Sequence, residues 1–270
     1  MISDEFQQAV KAGVYGLLID DTGSPGVQAN NPNLPKETKS LVGVLVPPHA
    51  MPVIADQLPG VIDEIRSITG ANEMHFVDIY GARKNWKGVD PKVRLGIFGF
   101  MSWIFDTYGL KLIVQSFTAA QHQDVISRLG IDNAGPFDLK KIEDAALLFL
   151  LIQAKWHLKS LSHAPGAKAG VFIDAGNGWK RSDSKHQVNI FSDVFMNGEF
   201  GFYDSAKMPP IQIADFAAFF HNRVNLIINK VSPELFDRQL VEILQPLQTG
   251  YLNIPTLSWD VIFPEFPSYQ

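Results

Sequence analysis

The chain has 270 residues, 46% of them apolar and 19% charged, with a net charge of −5 and no cysteine. That is the composition of an ordinary globular protein. The missing cysteine excludes disulfides, thiolate nucleophiles and Cys-based zinc or iron–sulfur sites. The acidic balance argues against a dedicated non-specific nucleic-acid binder, but not against a nuclease, whose own acids make the total more negative.

Residues 1–6 lack a positive segment followed by an apolar one, so no signal peptide is expected. Residues 14–20 form a nearly continuous apolar run, which predicts a central strand covered on both faces and ending at Asp20. A turn over 21–26 and a loop through 30–35 lead to a second strand over 41–46, closed by Pro47 and Pro48 and paired with the first as a long hairpin. Apolar positions from Val53 to Ile68 then follow helical spacing, and Pro59 is expected to kink or divide that helix. Residues 73–79 read as a short extended segment, with Glu73 and His75 on one face and Met74 and Phe76 on the other.

An amphipathic helix is expected over 93–108, a third strand over 111–117 and a long helix over 137–161. Its apolar core, residues 145–152, is too short to span a bilayer and reads as buried helix. Residues 170–174 predict a fourth strand ending at Asp174, and 188–195, or part of it, a fifth. The last strong helix covers 211–229, and another follows near 233–244. A hairpin followed by alternating helices and strands implies an α/β fold with a mixed central sheet and helices packed on it. Residues 1–250 are expected to form one domain. The Pro- and aromatic-rich residues 251–270 are expected to lie against it or against a second subunit of a homodimer. A cytoplasmic location and no membrane partner follow.

Four carboxylates stand out because each lies in or at the end of an apolar segment: Asp20, Glu73, Asp174 and Asp215. Ionised carboxylates beside apolar surface are costly, and several together repel unless a cation lies between them. The pattern points to a metal site of hard oxygen donors, with Mg²⁺ or Mn²⁺ as the expected ion. Asp21 ranks below Asp20 because neighbours on a strand point to opposite faces. Asp204 is expected either to cap a turn or to add an outer ligand. His75 is the candidate ligand or proton shuttle. Two basic segments contain a tryptophan, one with Lys84 and Trp86 and one with Trp179, Lys180 and Arg181. Lys84, Trp86, Lys180 and Arg181 are therefore expected to contact phosphates and bases. No P-loop, dinucleotide-binding glycine motif, nucleophile elbow or His-Glu-x-x-His motif is present.

The segments Leu18-Ile19-Asp20-Asp21-Thr22-Gly23, Glu73-Met74-His75 and Phe172-Ile173-Asp174 resemble, in order, the motifs of the DUF3800 family. So does Asp204-Ser205 leading into Ile211-Gln212-Ile213-Ala214-Asp215. Asp21-Thr22 stands where the family usually has Glu-Ser, and Met74 where it has Leu; the four principal acids are unaffected. The resemblance spans residues 14–220 and implies a ribonuclease H-like core.

The leading expectation is metal-dependent phosphodiester hydrolysis, with nucleic acid as substrate. Asp20, Glu73, Asp174 and Asp215 would hold Mg²⁺ or Mn²⁺, and His75 would assist proton transfer. Two alternatives use the same fold. One is a non-catalytic metal- or nucleic-acid-binding regulatory module; the other is a hydrolase of a small phosphorylated substrate.

Overall fold

Ser3 accepts a hydrogen bond from the Phe6 amide at 3.3 Å and starts helix α1 (Asp4–Ala12), which Gly13 ends in the left-handed conformation at φ 64°. The computed structural model describes residues 2–22, 38–176 and 184–252. Strands β1 (Tyr15–Asp21) and β2 (Lys39–Val46) pair antiparallel, as the hairpin reading expects. Helix α2 (Met51–Thr69) contains Pro59 without being divided by it. Next come the short helix α3 (Phe76–Tyr80), helix α4 (Pro91–Tyr108), strand β3 (Lys111–Phe117) and helix α5 (Ala119–Leu129). Strands β4 (Asn133–Ala134) and β5 (Phe137–Asp138) form a separate two-stranded ladder ahead of helix α6 (Ile142–Ser160). The chain continues through β6 (Ala169–Asp174), β7 (Lys185–Gln187), β8 (Glu199–Tyr203), α7 (Gln212–Ile228) and α8 (Leu235–Leu244).

The main sheet has the order β3-β2-β1-β6-β8-β7. β6 is parallel to both β1 and β8, and the other neighbours are antiparallel. This mixed sheet with flanking helices is consistent with a ribonuclease H-like α/β fold. Two apolar cores lie on its two faces. Leu18, Val42, Val44 and Phe172 join the core formed with α1, α2, α4 and α7. Leu17, Ile19, Leu41 and Ile173 join the core built around α6. Every residue of α6 from Asp144 to Lys155 is buried, which explains its lack of a polar face. Gly16 allows the second layer to approach: a Cβ there would lie 2.4 Å from Met51 Sδ at the start of α2. Among the described residues no helix is long and apolar enough to cross a membrane.

Three sequence expectations change. Residues 73–79 are not extended throughout, because Phe76 and Ile79 enter the core at helical spacing and form α3. The long helix begins at Ile142 rather than 137. Phe137 and Asp138 belong to the small ladder, and the Asp138 amide donates to Asp144 Oδ2 at 2.8 Å. Finally, residues 189–191 form a 3₁₀ turn, and the strands on either side are Lys185–Gln187 and Glu199–Tyr203. Residues 253–270 lie outside the described residues.

Beyond the sheet, α3, α8 and the segment between α7 and α8 are joined by one buried carboxylate. Asp237 accepts from Tyr80 Oη at 2.8 Å, from Lys230 Nζ at 2.9 Å and from the Glu234 amide at 2.9 Å. Truncation would leave these donors to water or unpaired. Asp237→Ala should cost about 2 kcal/mol and lower the melting temperature by roughly 5 °C. Thermal denaturation would show it, and an unchanged midpoint would remove this junction from the account of stability.

Candidate active site

Strand alternation decides which acids meet. Asp20 follows Leu18 by two residues and Asp174 follows Phe172 by two, so both project from the sheet face that carries α7. Asp21 points to the other face, where Lys39 Nζ binds its Oδ2 at 2.8 Å. On α7, Asp215 sits among buried Ala214, Phe216, Ala217 and Ala218. Its Oδ2 accepts from the Phe76 amide at 3.1 Å, at the start of α3. Because α3 begins there, the preceding Glu73 and His75 are delivered to the same sheet edge.

His75 bridges this group. Its Nε2 lies 3.2 Å from Glu73 Oε1, and its Nδ1 lies 3.7 Å from Asp215 Oδ2. The first distance is that of a hydrogen bond, the second that of an ion pair. Asp215 and Glu73 together push the imidazole up to about 11, so His75 is an imidazolium at neutral pH. Glu73 is held below its ordinary value by His75 and by Ser205, whose Oγ donates to Glu73 Oε2 at 3.0 Å.

The remaining acids show what crowding costs. Burial raises the Asp20 carboxyl well above its usual value, and the charges of Asp215, Asp174 and Asp21 raise it further. The Asp21 amide donating to its Oδ1 at 2.7 Å offsets only part of this. Asp174 is pushed up to about 6, again by burial first and then by Asp215 and Glu73. Asp20, Glu73, Asp174 and Asp215 thus share one electrostatic environment, with His75 as its cation. As they stand, no three or more His, Asp and Glu side chains among the described residues are arranged to hold a metal ion.

Two amide side chains place this constellation without belonging to it. Buried Gln212 accepts from the Met74 amide at 2.8 Å and donates to the Ser205 carbonyl at 3.1 Å. It thereby fixes the backbone on both sides of the Glu73–Ser205 bond. Asn222, two turns along α7 from Asp215, donates to the Thr22 carbonyl at 3.2 Å and ties the end of β1 to that helix. Sequence reading assigned neither role, although a glutamine and an asparagine within an apolar helix need partners for their buried polar atoms.

The outer candidates fare differently. Asp204 caps a turn: its Oδ1 accepts from the Ala206 amide at 3.0 Å, and its carbonyl accepts from Lys207 and Met208. Trp86 is 2% exposed, so the stacking role suggested by its basic neighbours has no open ring to use. Its ring belongs to the core beneath α4. Lys84 remains exposed, paired with Asp78 Oδ2 at 2.7 Å. Lys84 and Ala82 both adopt left-handed backbone, at φ 50° and 49°, which costs a non-glycine residue about 1–2 kcal/mol each. Lys180 and Arg181 lie outside the described residues. Comparison with protein-family models, curated proteins and solved structures finds no match for this chain.

The raised Asp174 value carries a sign for stability. A carboxyl that binds its proton more tightly folded than unfolded favours the folded state most at low pH, and that contribution is lost as pH rises from about 4 through about 6. Asp174→Asn removes the effect. In metal-free buffer the variant should gain stability relative to wild type between pH 4 and pH 7, by at most about 3 kcal/mol. Paired melting curves across that range would check it; a difference that does not vary with pH would show that Asp174 is not electrostatically stressed.

Proposed function

We propose that this protein is a metal-dependent phosphodiester hydrolase acting on nucleic acid, with Mg²⁺ or Mn²⁺ held by Asp20, Glu73, Asp174 and Asp215. The observation that supports it most is the gathering of half-buried, mutually repelling acids from β1, β6 and α7 at one sheet edge, with Glu73 close enough to Asp174 to repel it. Such a group is stabilised when a cation enters, and its hard oxygen donors fit these ions better than a soft metal. The resemblance of the four-acid motif order to the DUF3800 family implies a ribonuclease H-like core, which is compatible with this reading. A cytoplasmic setting suits it.

The metal would supply activation of a water and stabilisation of charge at the phosphorus and leaving oxygen. The chain's own residues supply the rest. Asp20 and Asp174 project from adjacent parallel strands and present fixed donors. Asp215 is anchored by the Phe76 amide, so its position does not depend on solvent. Ser205 and Gln212 hold Glu73 in place. His75, half exposed at the edge of the group, carries a proton it can deliver to the leaving oxygen.

Asp20→Asn and Asp174→Asn should each reduce turnover of a labelled oligonucleotide in Mn²⁺ by at least about 1,000-fold, with little change in circular dichroism. Wild-type protein that releases phosphate from mononucleotides but leaves oligonucleotides intact would favour the small-substrate alternative. Wild type that binds strands or metal without cutting would favour the regulatory module. Full activity in either variant would remove that residue from the mechanism.

A further inference from the structure

Next to Glu73 and His75 lies a cleft of about 220 Å³ that the acid group itself does not fill. Asn72, Lys84 and Asn85 line it, and buried Trp86 contributes to its lining. Two carboxylates, Glu73 and Asp78, also face it, but both are matched. Glu73 is bound by His75 and Ser205, and Asp78 by Lys84. The formal charge of the lining is therefore near zero, with Glu73 and Asp78 balanced by His75 and Lys84.

The backbone around Lys84 is clamped from both sides. The Arg83 amide donates to the Asp78 carbonyl at 2.9 Å, and the Trp86 amide donates to the Arg83 carbonyl at 2.9 Å. Between these bonds Lys84 keeps φ 50°, a conformation in which glycine would sit without strain. Strained residues persist where surrounding structure enforces them, and they cluster at binding sites. Here the enforcement holds an ammonium group at the cleft, close enough for attraction to Glu73. Asn85 donates to the Thr69 carbonyl at 3.3 Å, and Asn72 accepts from Arg66 Nε at 3.0 Å, so both side chains are tied down.

We infer that this cleft is a phosphate subsite: it takes the phosphate next to the scissile one, with Lys84 as its cation. The site therefore selects a nucleic-acid strand over a molecule with a single phosphoester. The assignment rests on the proposed phosphodiesterase reading, and it adds which part of the substrate is recognised and by what. A cleft on the flank of the acids has no role for a substrate that ends at the reacting phosphate. One exposed lysine, with Asn72 and Asn85 also in the lining and both carboxylates of the cleft already paired, suits a backbone phosphate, which carries one charge and no sequence information.

The test uses the full chain and two variants, Lys84→Ala and Lys84→Gly. Binding of a fluorescent single-stranded oligonucleotide is measured by anisotropy in Ca²⁺, a cation that also takes oxygen ligands. Hydrolysis is followed in Mn²⁺ with the same strand and with bis(p-nitrophenyl) phosphate, which has one diester and no neighbouring phosphate. Both variants should bind the strand about tenfold more weakly at low salt, with the salt slope reduced by about 0.7. They should lose about tenfold more kcat/KM on the strand than on the small diester. Lys84→Gly should keep its melting temperature within a few degrees, because glycine accepts the backbone conformation.

Wild type that does not bind the strand, or variants that bind it equally well, would overturn the subsite. Equal losses on the two substrates would also overturn it, since Lys84 would then serve the reacting phosphate. Weakened strand binding without hydrolysis of either substrate by wild type would sink the phosphodiesterase reading and, with it, the placement next to a scissile phosphate, leaving Lys84 as a strand contact of a protein that does not cut.

Discussion

Repulsion between carboxylates crowded at one sheet edge is the constraint around which this protein is organised. Asp20 and Asp174 cannot separate, because parallel pairing of β1 with β6 fixes their strands side by side. Asp215 cannot turn away either, because it is bonded to the Phe76 amide inside an apolar helix face. Burial first, and this repulsion second, make Asp20 and Asp174 hold their protons more tightly than usual. The repulsion is relieved in part by one imidazolium, His75, between Glu73 and Asp215.

That arrangement links architecture to chemistry. Two apolar cores, one on each face, hold the sheet flat against its helices. Against that background particular polar contacts fix the site: Gln212 to Met74 and Ser205, Ser205 to Glu73, and Asn222 to the end of β1. A charged, half-exposed histidine between Glu73 and Asp215 supplies positive charge to the acid group. If Glu73 and Asp215 hold a divalent ion as proposed, they would no longer hold His75.

Much of this was legible in the chain itself. Apolar runs ending in Asp20 and Asp174 identified two strands of one sheet, each with a terminal acid; that they are adjacent comes only from the pairing of β1 with β6. Asp215 was legible because an acid among Ile213, Ala214, Phe216 and Ala217 has no bland exposed position. Glu73 and His75 were correctly placed together, but through the wrong local geometry: they precede a helix start fixed by Asp215 rather than alternating along a strand. What could not be read depends on distant partners. Trp86 looks like a stacking residue beside lysines, yet its ring is claimed by the core. Lys84 looks free, yet Asp78 holds it. Strand β8 was missed because Glu199–Tyr203 is short and contains a glycine, and only its pairing with β6 and β7 makes it a strand.

The most direct test is a crystal soaked in concentrated Mn²⁺, with anomalous scattering used to locate the ion. The account predicts a peak about 2.2 Å from carboxylate oxygens of Asp20 and Asp174, as expected for a hard cation on oxygen ligands, with His75 displaced from between Glu73 and Asp215. Absence of a peak, with His75 still bridging those two acids, would contradict it and leave the imidazolium as the only cation this group of acids is built to hold.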